Sequence, residues 1–293
     1  MILDIRALLA LLLIPVFWGA GFPLTHNIVS TISPTAYIWG RMLVATIVML
    51  PFTWRYLKTI DKKTAFICLL LSLLGTATLV SQALALQILN SASTAFCVSL
   101  NAAFIPMVQY LFRMKKNNRV DLLSILLAVI GTWVILGGDP NQLSMGYLWG
   151  AASALAIACS IVLTGKLAET INVNRVTLVF YQLFFSAMIL SFTLNTDDMH
   201  SLLSMPVMMT ILFVAVLSSA FCLYLQMKYQ NRVGNLQTAL ILNMDLVFAV
   251  IFGTMNGEPL SANQLLGSAI MLVAICMGPA LSLMFHRKVV RCE

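Results

Sequence analysis

What this chain of 293 residues has least of is charge: 17 Lys plus Arg and 10 Asp plus Glu, 9% in all, where soluble domains carry about 25%. So few ions cannot coat a water-exposed globule of this length, so large extramembrane domains are excluded and most of the exterior must face lipid. Histidine is scarce too, with three dispersed copies, His26, His200 and His286. The acidic residues form no paired cluster, and there is no phosphate loop, no H-E-x-x-H and no nucleophile elbow, which removes the usual grounds for an enzyme or an ATP-driven pump. The six cysteines, Cys68, Cys97, Cys159, Cys222, Cys276 and Cys292, share no C-x-x-C or other ligand spacing, so neither a metal nor a redox cofactor is expected. No stretch alternates polar and apolar residues as a barrel strand would.

What is present is 60% hydrophobic, with a mean hydropathy of +0.95. Apolar runs lie at 7–29, 34–54, 64–88, 92–112, 119–138, 146–166, 174–195, 205–227, 235–254 and 262–285, each near the ~20 residues that cross a bilayer as a helix. The first run continues through Trp18, Gly19 and Phe22 without a small-x-small cleavage site, and reads as a retained helix rather than a signal peptide. The expectation is an all-α integral membrane protein of ten transmembrane helices.

Charge placement sets the orientation. With ten crossings, 16 of the 17 basic residues fall on one side: Arg6, Arg55, Lys58, Lys62, Lys63, Arg113, Lys115, Lys116, Arg119, Lys166, Arg175, Lys228, Arg232, Arg287, Lys288 and Arg291. The opposite connectors carry Asp139, Asp197, Asp198 and Glu258 and no Lys or Arg. By the positive-inside rule both termini are cytoplasmic in an inner, cytoplasmic membrane. The +7 charge thus reads as anchorage beside anionic headgroups of the lipid bilayer, not as nucleic-acid binding.

The chain also repeats itself. At an offset of 144, Gln82 lies over Gln226, Ala95 over Ala239, Asn101 over Asp245 and Phe104 over Phe248. Near an offset of 141, Arg41 lies over Tyr181 and Gln182, and Trp18 to His26 over Ala158 to Lys166. The halves are expected at 1–140 and 141–293. Five helices separate equivalents, an odd number, so the halves should be inverted in the bilayer, the architecture in which secondary transporters hold substrate at the midplane.

Trp18-Gly19 followed by Phe22, Ala92-Ser93-Thr94-Ala95 leading to Pro106, and Gly257-Glu258 after the ninth run resemble the EamA family of the drug/metabolite transporter superfamily. The resemblance implies a basket of helices one to four and six to nine around a central cavity, with helices five and ten peripheral. Two departures stand out. Met114-Lys115-Lys116 replaces the Gly-Glu that many members carry after the fourth helix, and Asp245 interrupts apolar neighbours in the ninth.

A charge at the centre of a membrane helix costs ~2.5–3.5 kcal/mol even on lenient insertion scales, so it usually faces a cavity or a partner. Asp245, near the midplane of the ninth run, and Arg41, in the second, meet that description. Uncharged polar residues recur at similar depth, Asn101, Asn243, Gln82, Gln226 and Gln182, and serve either a substrate or helix–helix hydrogen bonding. Trp18, Phe22, Tyr37, Trp39, Tyr181 and Tyr224 are candidates for an aromatic wall against a flat or cationic ligand, or else for packing or an interfacial belt, which suits Trp39, close to the external surface, best. Gly146, Gly150, Ala154 and Ala158 recur every fourth residue and permit close helix contact. Pro15, Pro23 and Pro106 are expected to interrupt the first and fourth helices.

The leading expectation is a transporter of a small amine-bearing polar metabolite, an amino acid or cationic derivative, with Asp245 receiving the cation and Arg41 a carboxylate. In an alternative role Asp245 exchanges protons as the coupling site. The competing substrate class is lipophilic, drug-like or lipid-linked compounds. The small-molecule substrate, the lipid bilayer and protons are the partners called for, and the chain is expected as a monomer or weak dimer.

Overall fold

The computed structural model of the chain describes residues 5–112, 144–168, 174–233 and 235–267, with scattered positions of 123–134 and 269–273. The elements are α1 Ile5–Val29, α2 Pro34–Thr53, a 3-10 turn Trp54–Thr59, α3 Lys62–Leu86, α4 Ser91–Ser99, α5 Asn101–Leu111, α6 Met145–Ala168, α7 Arg175–Ser191, α8 Thr196–Leu202, α9 Met205–Phe213, a π-helical segment Val214–Phe221, α10 Cys222–Val233, α11 Asn235–Leu242 and α12 Asp245–Met255. There is no strand among the described residues, and six of their helices are long and apolar enough to cross a membrane. The runs expected at 119–138 and 262–285 lie wholly or largely outside the described residues, as do Met114-Lys115-Lys116 and Asp139.

Short polar residues start these helices. Ser33 caps α2 through the Ala36 amide, with Pro34 next in the chain, where its missing N–H costs nothing. Asp61 accepts from the Thr64 amide at the start of α3, and Asn90 from the Ser93 amide at the start of α4. Once started, the helices are apolar on all sides, as buried or membrane helices are. The packed bundle is inside out relative to a soluble protein: Phe52, Leu111 and Phe192 are 67, 77 and 87% exposed, while Ser72, Ser153 and Thr177 are wholly buried. In water such an exterior would cost about 25 cal/mol per Å² of apolar surface, and against lipid it costs nothing.

Contacts between element ends sort the bundle into two faces. Asn27 and Asn256 exchange amide hydrogen bonds at 3.2 and 3.1 Å, Ser33 Oγ donates to Asp198 at 2.7 Å, and Glu258 receives both the amide and the hydroxyl of Ser91, at 2.7 and 2.6 Å. Gly146 packs on Ile88 and Leu89 at the same end. The opposite end holds the 3-10 turn, the start of α3, Gly165 against Asn235, and the described basic connectors. α1 therefore runs from the basic to the acidic end and α6 from the acidic to the basic end. In the same way α4 and α5 oppose α11 and α12.

Proline does not cut the chain where the sequence reading places the cuts. α1 passes through Pro15 and Pro23 without a break, and Pro106 lies inside α5. The fourth run breaks at Leu100 instead, where Asn101 Nδ2 takes the Val98 carbonyl at 2.8 Å, so a side-chain amide replaces the backbone donor. The ninth run breaks at Asn243-Met244. Asn101 and Asp245, which open the segments after the two breaks, are 144 residues apart, and so are Leu111 and Met255, which end them.

Candidate functional site

Between the helices lies a cavity of about 1020 Å³, its open mouth included, lined from every one of runs one to four and six to nine. α1 gives Trp18, Gly21 and Thr25, α2 gives Arg41, and α3 gives Thr78 and Gln82. α6 supplies Ser160, α7 Gln182 and Ser186, the π segment Ser218 and Ser219, α10 Gln226 and α12 Asp245. The remaining wall is apolar, with Ile38, Met42, Leu79, Val98, Ile157 and Leu183 among its members.

Arg41 is buried, and neutral groups hold its guanidinium. Nε donates to Ser219 Oγ at 2.7 Å and Nη2 to Ser218 Oγ at 3.0 Å, with a further hydrogen bond to Tyr37. The Tyr37 hydroxyl in turn shares a hydrogen bond with Thr25 at 3.0 Å. In an α-helix consecutive residues point about 100° apart, and the wider π turn lets Ser218 and Ser219 serve the same guanidinium. That turn also frees the Ser218 carbonyl, which accepts from Trp18 Nε1 at 2.9 Å. π turns are rare and concentrate at functional sites.

Asp245 keeps one oxygen free. It is 5% exposed, and its Oδ1 is buried without a hydrogen-bond partner. Gln182 Oε1 and Thr78 Oγ1, on the same cavity wall, are likewise buried and unpartnered. The Gln182 backbone carbonyl accepts from Ser72 Oγ at 2.8 Å, which ties α7 to α3.

The fold thus brings together Trp18, Arg41, Gln82, Gln182, Gln226 and Asp245, and sets four other sequence candidates off the cavity wall. Phe22 is 1% exposed within the core. Tyr181 donates its hydroxyl to the Leu57 carbonyl at 2.8 Å, tying α7 to the 3-10 turn. Asn101 and Asn243 bond to each other, at 2.8 Å, and to the carbonyls of the α4 break, with Asn101 Oδ1 buried and unpartnered.

The EamA-like transporter family model matches residues 5–137 and again residues 144–277. The chain belongs to the EamA-like transporter family. An uncharacterised transporter of Archaeoglobus fulgidus is 25% identical over 276 residues, which cover 91% of this chain and 83% of that one. A solved structure, described only as a crystal structure of a protein, superposes with a TM-score of 0.67 over 96% of this chain and 98% of its own, at 14% identity, which speaks to the fold alone. This EamA-like protein is a multi-pass membrane transporter of the drug/metabolite transporter superfamily.

Thr25, Thr78, Ser160 and Ser186 line the transporter's cavity without standing out in the sequence, and neither do Ser218 and Ser219, which hold Arg41. Their only signal is a Ser-Ser pair inside the hydrophobic stretch Val214–Phe221, and hydroxyls in apolar helices usually satisfy themselves on the carbonyl one turn back.

Proposed function

We propose that this EamA-like protein is a secondary transporter that moves a small amine-bearing polar metabolite, an amino acid or a cationic derivative, across the cytoplasmic membrane by alternating access. One observation carries the reading: a single cavity holds a buried carboxylate with an unpartnered oxygen, Asp245, and a guanidinium held only by neutral groups, Arg41. An ammonium group has three donors to place and no acceptor. Asp245 Oδ1, Gln182 Oε1 and Thr78 Oγ1 are three unpartnered acceptors on residues that line one cavity. Guanidinium, with five donors in a fixed fork, retains donors for a carboxylate after the two serines and Tyr37 are served. Gln82, Gln226 and Trp18 complete the candidate substrate contacts.

The topology in this reading is ten helices in two inverted halves, 1–140 and 141–293, with both termini cytoplasmic. The opposed directions of α1 and α6, and of α5 and α12, support it, as does the double family match. Inverted halves around a midplane site can expose the same residues to either side in turn.

The test is thermal unfolding of the purified protein against a metabolite panel, since a ligand of the folded state adds about 2.7 kcal/mol at 100 times its Kd. Compounds with both an amine and a carboxylate are expected to raise the melting temperature, and their deaminated analogues are not. A response confined to lipophilic compounds would overturn the assignment in favour of a drug-like or lipid-linked substrate.

A further inference from the structure

Toward the basic end, the cavity wall continues as a file of amides. Gln226 lines the cavity and donates its Nε2 to Gln230 Oε1 at 3.1 Å. Gln230, one turn on, is 0% exposed. Its Nε2 donates to the Ile161 carbonyl of α6 at 2.8 Å and to Oδ1 of Asn235, the first residue of α11, at 3.0 Å. Both N–H groups and the oxygen of Gln230 are thereby engaged, and one side chain ties α6, α10 and α11. Leu11 of α1, Ile161, Leu225 and Ala239 belong to one buried apolar cluster built from the same helices and α1.

Two further features mark the contact as built. Any Cβ on Gly165 would overlap the Asn235 side chain, so only glycine leaves room for Asn235 to reach Gln230. At the opposite end, Ser91, 144 residues before Asn235, is held by a carboxylate, Glu258, where Asn235 meets a neutral amide. The two ends are fastened by different chemistry. Only the amide fastening leads into the cavity, because Gln226 has one N–H on Gln230 and its oxygen and second N–H left over.

We propose that Gln230 is the positioning residue of the basic-end gate, and that it reads occupancy of the cavity through Gln226. A polar substrate atom that turns the Gln226 amide withdraws the donor from Gln230 Oε1. Gln230 then loosens its hold on Ile161 and Asn235, and α6 and α11 separate from α10 at that face. The inference rests on the alternating-access reading, but not on the identity of the substrate.

The experiment places a cysteine on the cavity wall, Ser160→Cys, in a background without the native cysteines, and applies a membrane-impermeant thiol reagent to each face of the membrane in turn. Gln230→Glu keeps the shape but cannot donate to Ile161 or Asn235. Gly165→Ala leaves Gln230 intact and displaces Asn235, and Gln226→Leu removes the donor from the cavity side. Each is expected to raise the labelling rate several-fold from the face carrying Arg232 and to leave the rate from the other face unchanged. An unchanged rate from the Arg232 face, or an equal rise from both faces, overturns the proposal. No substrate is needed, so a failed metabolite panel and a failed gate are separate results.

Discussion

Asn101 and Asn243 clasp each other at the breaks of two helices: Asn101 Nδ2 donates to Asn243 Oδ1 at 2.8 Å, and Asn243 Nδ2 donates to the Ser99 carbonyl at 2.9 Å. The offset of 144 exchanges these positions unequally, placing Asn101 over Asp245 and Ser99 over Asn243. One half therefore has an amide where the other has a carboxylate, and a carboxylate cannot donate to the carbonyls an amide would cap. The clasp forms once, and Asp245, which lines the cavity, keeps one oxygen without a partner. The carboxylate of the cavity thus lies where the internal repeat departs from itself.

Replacing Asp245 by asparagine is expected to make the protein more stable and less capable. An unsatisfied buried polar group costs about 1–3 kcal/mol, and the Asp245→Asn amide would have the Leu242 carbonyl to cap, 144 residues after the Val98 carbonyl that Asn101 caps. A higher melting temperature with loss of amine-dependent stabilisation is the expected pair of results. A lower melting temperature would mean that the carboxylate already has a partner.

The Asn101–Asn243 contact should be worth little energy. Interhelical hydrogen bonds in membrane proteins couple by about 0.6 kcal/mol on average, and a double-mutant cycle with Asn101→Ala and Asn243→Ala should return a value of that order. Binding in the cavity should survive the double variant, because neither residue lies on the wall.

Arg41 depends on the π segment for its position. Removing both hydroxyls, Ser218→Ala with Ser219→Ala, takes away two hydrogen bonds to a charged donor, each worth about 1.5–3 kcal/mol when intact. The melting temperature should fall, and carboxylate-dependent binding should weaken by more than either single variant accounts for. Arg41→Lys should fare no better, since an ammonium cannot reproduce the fork.

Two glycines of α1 should behave differently. A Cβ on Gly19 would overlap Phe248 and come within 2.8 Å of the Asp245 carbonyl oxygen, so Gly19→Ala should force α1 from α12 at a cost of about 1–3 kcal/mol. A Cβ on Gly21 meets only Ser218 Oγ at 3.7 Å, so Gly21→Ala should fold normally and act only on the cavity it lines. Comparing their melting temperatures checks both.

The apolar helical character of the chain and its two isolated charges are legible because hydropathy and charge placement survive averaging over twenty residues, and six of the described helices are long and apolar enough to cross a membrane. Arg41, Asp245 and the three glutamines Gln82, Gln182 and Gln226 were found for that reason. The breaks were misplaced because proline is only one way to interrupt a helix. α1 absorbs Pro15 and Pro23, whereas at Leu100 the deciding group is the Asn101 amide, whose choice between backbone and solvent depends on tertiary neighbours. The π segment has no compositional signature, so the pairing of Ser218 and Ser219 with Arg41 could not be seen in Val214–Phe221 alone. For Asn101 and Asn243 the sequence left substrate contact and helix bonding both open, and only their mutual distance separates the two.

The most direct test of the zwitterion site is a matrix of binding isotherms. A stabilising amino acid, its deaminated acid and its decarboxylated amine are titrated into the native protein, Asp245→Asn and Arg41→Gln. The account predicts that Asp245→Asn binds the amino acid no better than the native protein binds the deaminated acid, and that Arg41→Gln shows the matching loss for the carboxylate. Equal affinity of all three compounds for the native protein, or an unchanged amino-acid isotherm in Asp245→Asn, would contradict it.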